Sequence, residues 1–175
     1  TSKNDELLGA LIAKDGQWRF PHNDSVPEKF KTCLIQFEDE YFYSHPGFNP
    51  ISIFNALKQN LKAGSVKRGG STITQQVIRL SRDNKSRTYF EKLKELVLAT
   101  RLEFRASKEK IITYWSSNAP FGGNVVGLDA ASWRYFNRSS SDLSWSEAAT
   151  LAVLPNAPNL IYPGKNQQKL LVKRN

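Results

Sequence analysis

The amino-acid sequence predicts a single, mainly α-helical domain with a short β element at its N-terminus. Three observations carry that expectation. Apolar residues recur at spacings of three, four and seven through much of the chain, the stripe an amphipathic helix buries. Helix punctuation stands ahead of these stripes: Asn49-Pro50, Ser107 and the capping box Ser144-x-x-Glu147. Residues 7–21 instead alternate apolar and polar around Asp15-Gly16, a hairpin signal.

Taken in order, the hairpin-like segment fills residues 1–24, and a helix follows Ser25 with Phe30, Cys33, Leu34 and Phe37 on one face. Glu38-Asp39-Glu40 ends it, ahead of Tyr41, Phe42, Tyr43 and the loop Ser44-His45-Pro46-Gly47. Asn49 and Pro50 start a helix with Ile51, Phe54, Leu57 and Leu61 as its buried stripe and Gly64 as its stop. The next helix spans about Ser71 to Leu80, and a polar loop passes through Asp83-Asn84-Lys85. The longest helix, about Thr88 to Arg105, has Phe90, Leu93, Val97, Thr100 and Phe104 as its expected inward seam. Another begins after Ser107; the break at 118–123 separates it from a helix near Val126–Phe136. Pro155 closes the last capped helix.

The chain has 175 residues, 39% of them apolar, and a net charge of +9. The length suits one domain with a sizeable core. The positive charge is spread along the chain and points to an anionic partner: nucleic acid, a membrane surface or a phosphorylated substrate. Cys33 is the only cysteine, so no intramolecular disulfide forms, and its place on an apolar helix face reads as an inert buried thiol. His22 and His45 lie too far apart in sequence for metal-ligand spacing. No signal peptide or membrane-spanning run is visible, and the start at Thr1 reads as a piece of a longer chain.

The stretch Lys67-Arg68-Gly69-Gly70-Ser71-Thr72-Ile73-Thr74-Gln75-Gln76 is the most informative. Two cations and a glycine pair run into a helix start, where unpaired N–H groups and the dipole favour an anion such as pyrophosphate. A surface loop capped by Ser71 explains the same residues, and both readings stay open. Glu38, at the end of an apolar face and walled by aromatics, suits a general base; a surface acidic trio is the alternative. Glu95 falls off the apolar seam of the longest helix, where a solvated face serves equally well. Arg79, Arg82, Lys85, Arg87, Lys92 and Lys94 form the densest cationic region. No aromatics interleave with them as in a nucleic-acid stacking platform, and no nucleic-acid motif is present. Ser107-x-x-Lys110 and Ser116-Ser117-Asn118 imitate an acyl-serine active site, but they lie too close together and no Lys-Thr-Gly follows.

Five blocks in order resemble glycosyltransferase family 51, the peptidoglycan glycosyltransferases of bifunctional penicillin-binding proteins. They are Glu38 to Gly47, Gly69 to Gln76, Lys92-Leu93-Lys94-Glu95 with Arg87 upstream, Ser107 through Phe121-Gly122, and Glu147-Ala148-Ala149 with Leu151-Ala152. Ala119 to Gly123, Ala131-Ser132-Trp133 and Leu154 to Pro158 look like the penicillin-binding protein 1C branch.

The resemblance implies a lysozyme-like helical fold over 25–175, with a smaller mobile lobe toward the membrane. It implies lipid II and the growing glycan as substrates, the extracytoplasmic face of the bacterial inner membrane as the location, a transpeptidase domain elsewhere in the full chain, and no nucleic acid. Glu38 takes the role of general base on the acceptor 4-hydroxyl. Glu95 assists the leaving pyrophosphate, directly or through a divalent cation, magnesium or manganese. Ser71, Thr72, Gln75, Gln76, Arg79, Arg87 and Lys94 match donor-site positions, and the phosphoglycolipid moenomycin is the implied inhibitor. The chain departs from the family at Glu91, where arginine is usual, and at Lys110, Trp115, Ser117 and Asn49. A lysozyme-like hydrolase and a catalytically weak lipid II-binding module are the rival functions.

Overall fold

The computed structural model describes residues 12–13, 16–21, 24–63, 70–82, 88–156, 163 and 166–174. Among them are eight α-helices, three 3-10 turns and one two-stranded sheet, in agreement with the mainly helical, lysozyme-like class. The chain divides into two compact units, residues 1–37 with 116–175, and Glu38–Trp115.

The first unit contains nearly all of α1 (Glu28–Glu38), whose Phe30 and Leu34 are fully buried. Cys33 is only half-buried and Phe37 is 37% exposed, so the expected four-residue stripe narrows to two. Burial pushes the Cys33 thiol pKa up, which fits an inert thiol. Near the N-terminus, Ile12 bridges Trp18 around Gly16, whose φ is +76°; residues 7–11 and 14–15 of the expected hairpin lie outside the described residues. Trp18 extends the pairing by donating its N–H to Asn124 O and accepting from Val126 N.

The break at 118–123 turns out to hold strand β1 (Pro120–Gly122), antiparallel to β2 (Val125–Val126), with Pro120 opposite Val126. Helix α6 (Leu128–Phe136) follows and ends on Asn137 in the left-handed conformation. Helix α7 (Trp145–Val153) carries the expected capping box of Ser144 and Glu147. The backbone N–H of Ser144 donates to the Glu147 carboxylate; against a smaller effect of burial, this and the Ser144 hydroxyl, Arg138 and Lys29 hold its pKa below the usual glutamate value. Helix α8 (Gln167–Arg174), absent from the sequence expectation, buries Leu170. The core of this unit gathers Phe30, Leu34, Phe121, Leu143, Leu151 and Leu154, with the Phe30 and Phe121 rings 6.1 Å apart.

The second unit holds α2 (Pro50–Ala63), α3 (Ile73–Leu80), α4 (Tyr89–Glu103) and the first two turns of α5 (Lys108–Asn118). Asn49 caps α2 by accepting from Ser52 N and Ser107 caps α5, as the sequence predicts, while Thr88, expected as the first helical residue, caps α4. Two stripes differ from expectation. Ile51 and Phe54 on α2 are 69% and 66% exposed, and Leu57, Leu61 and Gly64 lie outside the described side chains. On α4 the expected seam faces outward, with Phe90, Leu93, Val97 and Phe104 all more than half exposed and Thr100 half-buried. The inward face is Glu91, Glu95, Ala99 and Leu102. Gly47 sets that rotation: a Cβ there would lie 2.8 Å from the Ala99 carbonyl atoms, a close approach only glycine permits. Phe42, Ile73, Ile111, Ile112 and Trp115 form this unit's core.

Candidate functional site

The site is built within Glu38–Trp115, and α3 is its scaffold. Its N-cap is Thr72 rather than Ser71. Thr72 Oγ1 accepts from Gln75 N while Gln75 Oε1 accepts from Thr72 N, at 3.2 and 3.1 Å, a reciprocal capping box. Thr72 Oγ1 also donates to Gly47 O at 2.6 Å, a tertiary bond that decides which of two adjacent hydroxyls caps. The next open donor, Ile73 N–H, goes to Asp39 Oδ2 at 3.0 Å, placing a carboxylate at the positive helix end.

Asp39 in turn accepts from His45 Nε2 with both oxygens, at 2.9 and 3.0 Å. His45 Nδ1 accepts from Gly47 N–H at 3.2 Å, so the ring proton sits on Nε2. Lys108 braces the same loop through His45 O and the Glu103 carboxylate, at 2.7 and 2.8 Å, with its ammonium 4.5 Å over the Phe42 ring. Thr72, Gln75, Asp39 and His45 are all buried; they hold the start of α3 against the segment that follows Glu38.

That bracing presents one face of α3 to two acids. Gln76 Nε2 donates to Glu38 Oε2 at 2.7 Å, and Gln76 Oε1 accepts from the Trp115 indole N–H at 2.9 Å. Three residues on, Arg79 Nε donates to Glu95 Oε1 at 3.2 Å. Residues three apart on a helix are surface neighbours, so Glu38 and Glu95 are held from adjacent positions of one helix. Lys92 donates to Ser71 Oγ at 3.0 Å.

Glu91 extends the α3–α4 pairing. Its carboxylate lies 2.7 Å from Arg82 Nη2 and 3.4 Å from Lys94 Nζ. Burial pushes the Glu91 pKa up, but hydrogen bonds and charge from Arg82 and Lys94 outweigh it and hold it below the usual glutamate value. The acid standing in for the family's arginine is thus neutralised by Arg82, a residue outside the quoted blocks.

Of the sequence-predicted site residues, Glu38, Gln76, Arg79, Glu95, Ser71 and Lys94 fall in this connected set, and Thr72 and Gln75 brace it. Arg87 and the cradle residues Lys67, Arg68 and Gly69 lie outside the described residues, as do Asp83, Asn84, Lys85 and His22. Sequence reasoning missed Asp39, His45 and Trp115 as members. The first two stood inside the Glu38 block, where a carboxylate and an imidazole six residues apart were the available signal. Among the described residues no three His, Cys, Asp or Glu side chains stand close enough to hold a metal ion, and Glu95 is engaged by Arg79.

The family model described as transglycosylase matches residues 4–175. The chain is 43% identical over 162 residues to penicillin-binding protein 1C of Escherichia coli (strain K12), covering 92% of this chain and 21% of that protein. It is 35% identical over 150 residues to penicillin-binding protein 1F of Bacillus subtilis (strain 168), covering 83% of this chain and 21% of that one. Against penicillin-binding protein 1A of Escherichia coli (strain K12) the identity is 34% over 169 residues, 95% of this chain and 20% of that one. The chain therefore spans about a fifth of the length of these curated relatives. Matched along nearly its whole length, the chain belongs to the transglycosylase family, glycosyltransferase family 51.

Proposed function

We propose that this domain is an inverting peptidoglycan glycosyltransferase that polymerises lipid II and releases undecaprenyl pyrophosphate. The observation that carries the reading is the single face of α3, where Gln76 holds Glu38 and Arg79 holds Glu95. Glu38 takes the proton of the acceptor 4-hydroxyl as that oxygen attacks the donor anomeric carbon. The pyrophosphate leaves from the opposite side of that carbon. Arg79, Lys92 and Lys94 receive the negative charge that develops on it; cations placed in advance favour the transition state over the ground state. Glu95 holds Arg79 in register until the pyrophosphate competes for it.

The substrate lies at a membrane, and the exposed apolar side chains on α2 and α4, with Lys92 and Lys94 among them, support a membrane-surface setting. No helix among the described residues is long and apolar enough to cross a membrane. The names of the relatives support a penicillin-binding transpeptidase domain elsewhere in the full protein.

The test uses the full-length protein in lipid vesicles with labelled lipid II, with and without magnesium. Glycan polymer forms, and Glu38→Gln lowers its rate by about 10²–10⁴-fold, the range for losing a general base. Undiminished polymer from Glu38→Gln overturns the assignment. Soluble fragments released from preformed wall would mark a hydrolase, and lipid II binding without turnover a binding module.

A further inference from the structure

We propose that Trp115 is a positioning residue for the proposed base: its indole N–H sets the orientation of the Gln76 amide and thereby the hydrogen bond that Glu38 receives. The inference rests on the glycosyltransferase reading for its kinetic consequence, and on geometry alone for the relay. A glutamine amide can present either its oxygen or its nitrogen to a neighbour. Presented to a carboxylate, the oxygen repels and the nitrogen donates.

An indole N–H only donates, so whichever end of Gln76 meets Trp115 must be Oε1. The observed contact is Trp115 Nε1 to Gln76 Oε1 at 2.9 Å, and the other end then reaches Glu38 Oε2 at 2.7 Å. Trp115 is 1% exposed, on α5, and Gln76 is partly buried on α3. Both lie in the same compact unit as Glu38. A buried indole has little freedom to move away, so the amide is locked and holds one carboxylate oxygen of Glu38 in a fixed place.

The departure at Trp115 thus supports the arrangement around Glu38. Trp115 touches no reacting atom in this scheme. It acts through Gln76.

The experiment is a kinetic double-mutant cycle in the full-length protein with lipid II, joined to a spectroscopic readout that needs no turnover. Trp115 is replaced with phenylalanine and, separately, by site-specific incorporation of 3-benzothienylalanine, which keeps the ring size and lacks the N–H. Either change lowers kcat by about fivefold to tenfold, the scale of one net hydrogen bond, with KM within about twofold. In a Gln76→Leu background the same changes cost nothing further, because the relay is already cut. Ultraviolet resonance Raman spectra, wild type minus Trp115→Phe, report the hydrogen-bond state of the Trp115 N–H, and Gln76→Leu shifts that band to the weaker-bonded position.

A benzothienyl variant with wild-type kcat, additive losses in the cycle, or a Raman band unmoved by Gln76→Leu would each overturn the proposal. Should the wild-type protein make no polymer, the function reading fails, and the Raman shift alone still decides whether Trp115 holds Gln76.

Discussion

Replacing Gly47 with alanine tests the packing that sets the site. Gly47 has φ +94°, outside the range comfortable for an L side chain, which costs about 1–2 kcal/mol. Its new Cβ would also stand 2.8 Å from Ala99 C and O and 3.0 Å from Thr100 N. All three are backbone atoms of α4, so no side chain can swing aside. Moving a helix off its contact adds about 1–3 kcal/mol, the usual overpacking cost, for a sum near 2–5 kcal/mol. Gly123 is the internal control: its φ is +55°, but nothing lies within 4 Å of a Cβ there, so Gly123→Ala carries only the dihedral cost. Urea titration with hydrogen exchange read separately over α4 and α6 measures each local free energy. Gly47→Ala should cost at least about 1 kcal/mol more than Gly123→Ala. Glycan synthesis should fall with it, since Gly47 N–H holds His45 and Gly47 O holds Thr72. Equal costs within about 0.5 kcal/mol, near the error of such comparisons, would refute the close-approach argument.

Removing the cap of α3 by Thr72→Ala should cost about 1–2 kcal/mol by urea unfolding, because two partners lose their bonds at once. Glu147→Gln keeps a capping amide but loses the charge; because the Glu147 pKa is depressed on folding, its contribution is present above the ordinary glutamate value and fades as pH falls through the folded pKa. The stability gap to wild type, a few tenths to about 1 kcal/mol at pH 7, should close below that range in urea titrations run across pH. Glu91→Gln releases Arg82 and Lys94, so binding of a pyrophosphate-bearing ligand should tighten in low-salt titration calorimetry and the gain should shrink as salt is added. Phe30→Ala empties a fully buried site beside Phe121 and should cost about 3–5 kcal/mol in thermal or urea unfolding.

Local chemistry was legible in the residues alone. Asn49, Ser107 and the pair Ser144 and Glu147 cap the helices they precede, since a cap needs only a side chain within three residues of an open N–H. The five collinear blocks likewise carried the family, because motif spacing is a property of the chain. Tertiary structure decided what depends on a partner distant in sequence. Periodicity found the apolar stripe of α4 but turned the wrong face inward; contact with Gly47 and the Arg79 and Arg82 pairs directed Glu91, Glu95 and Ala99 there. Two adjacent hydroxyls competed to cap α3, and Gly47 O selected Thr72. Trp115 stood in the sequence as a departure from a motif. Only the fold brings it to Gln76, 39 residues away, and through that amide to Glu38, because hydrogen bonds act over about 3 Å of space however far apart along the chain their partners lie.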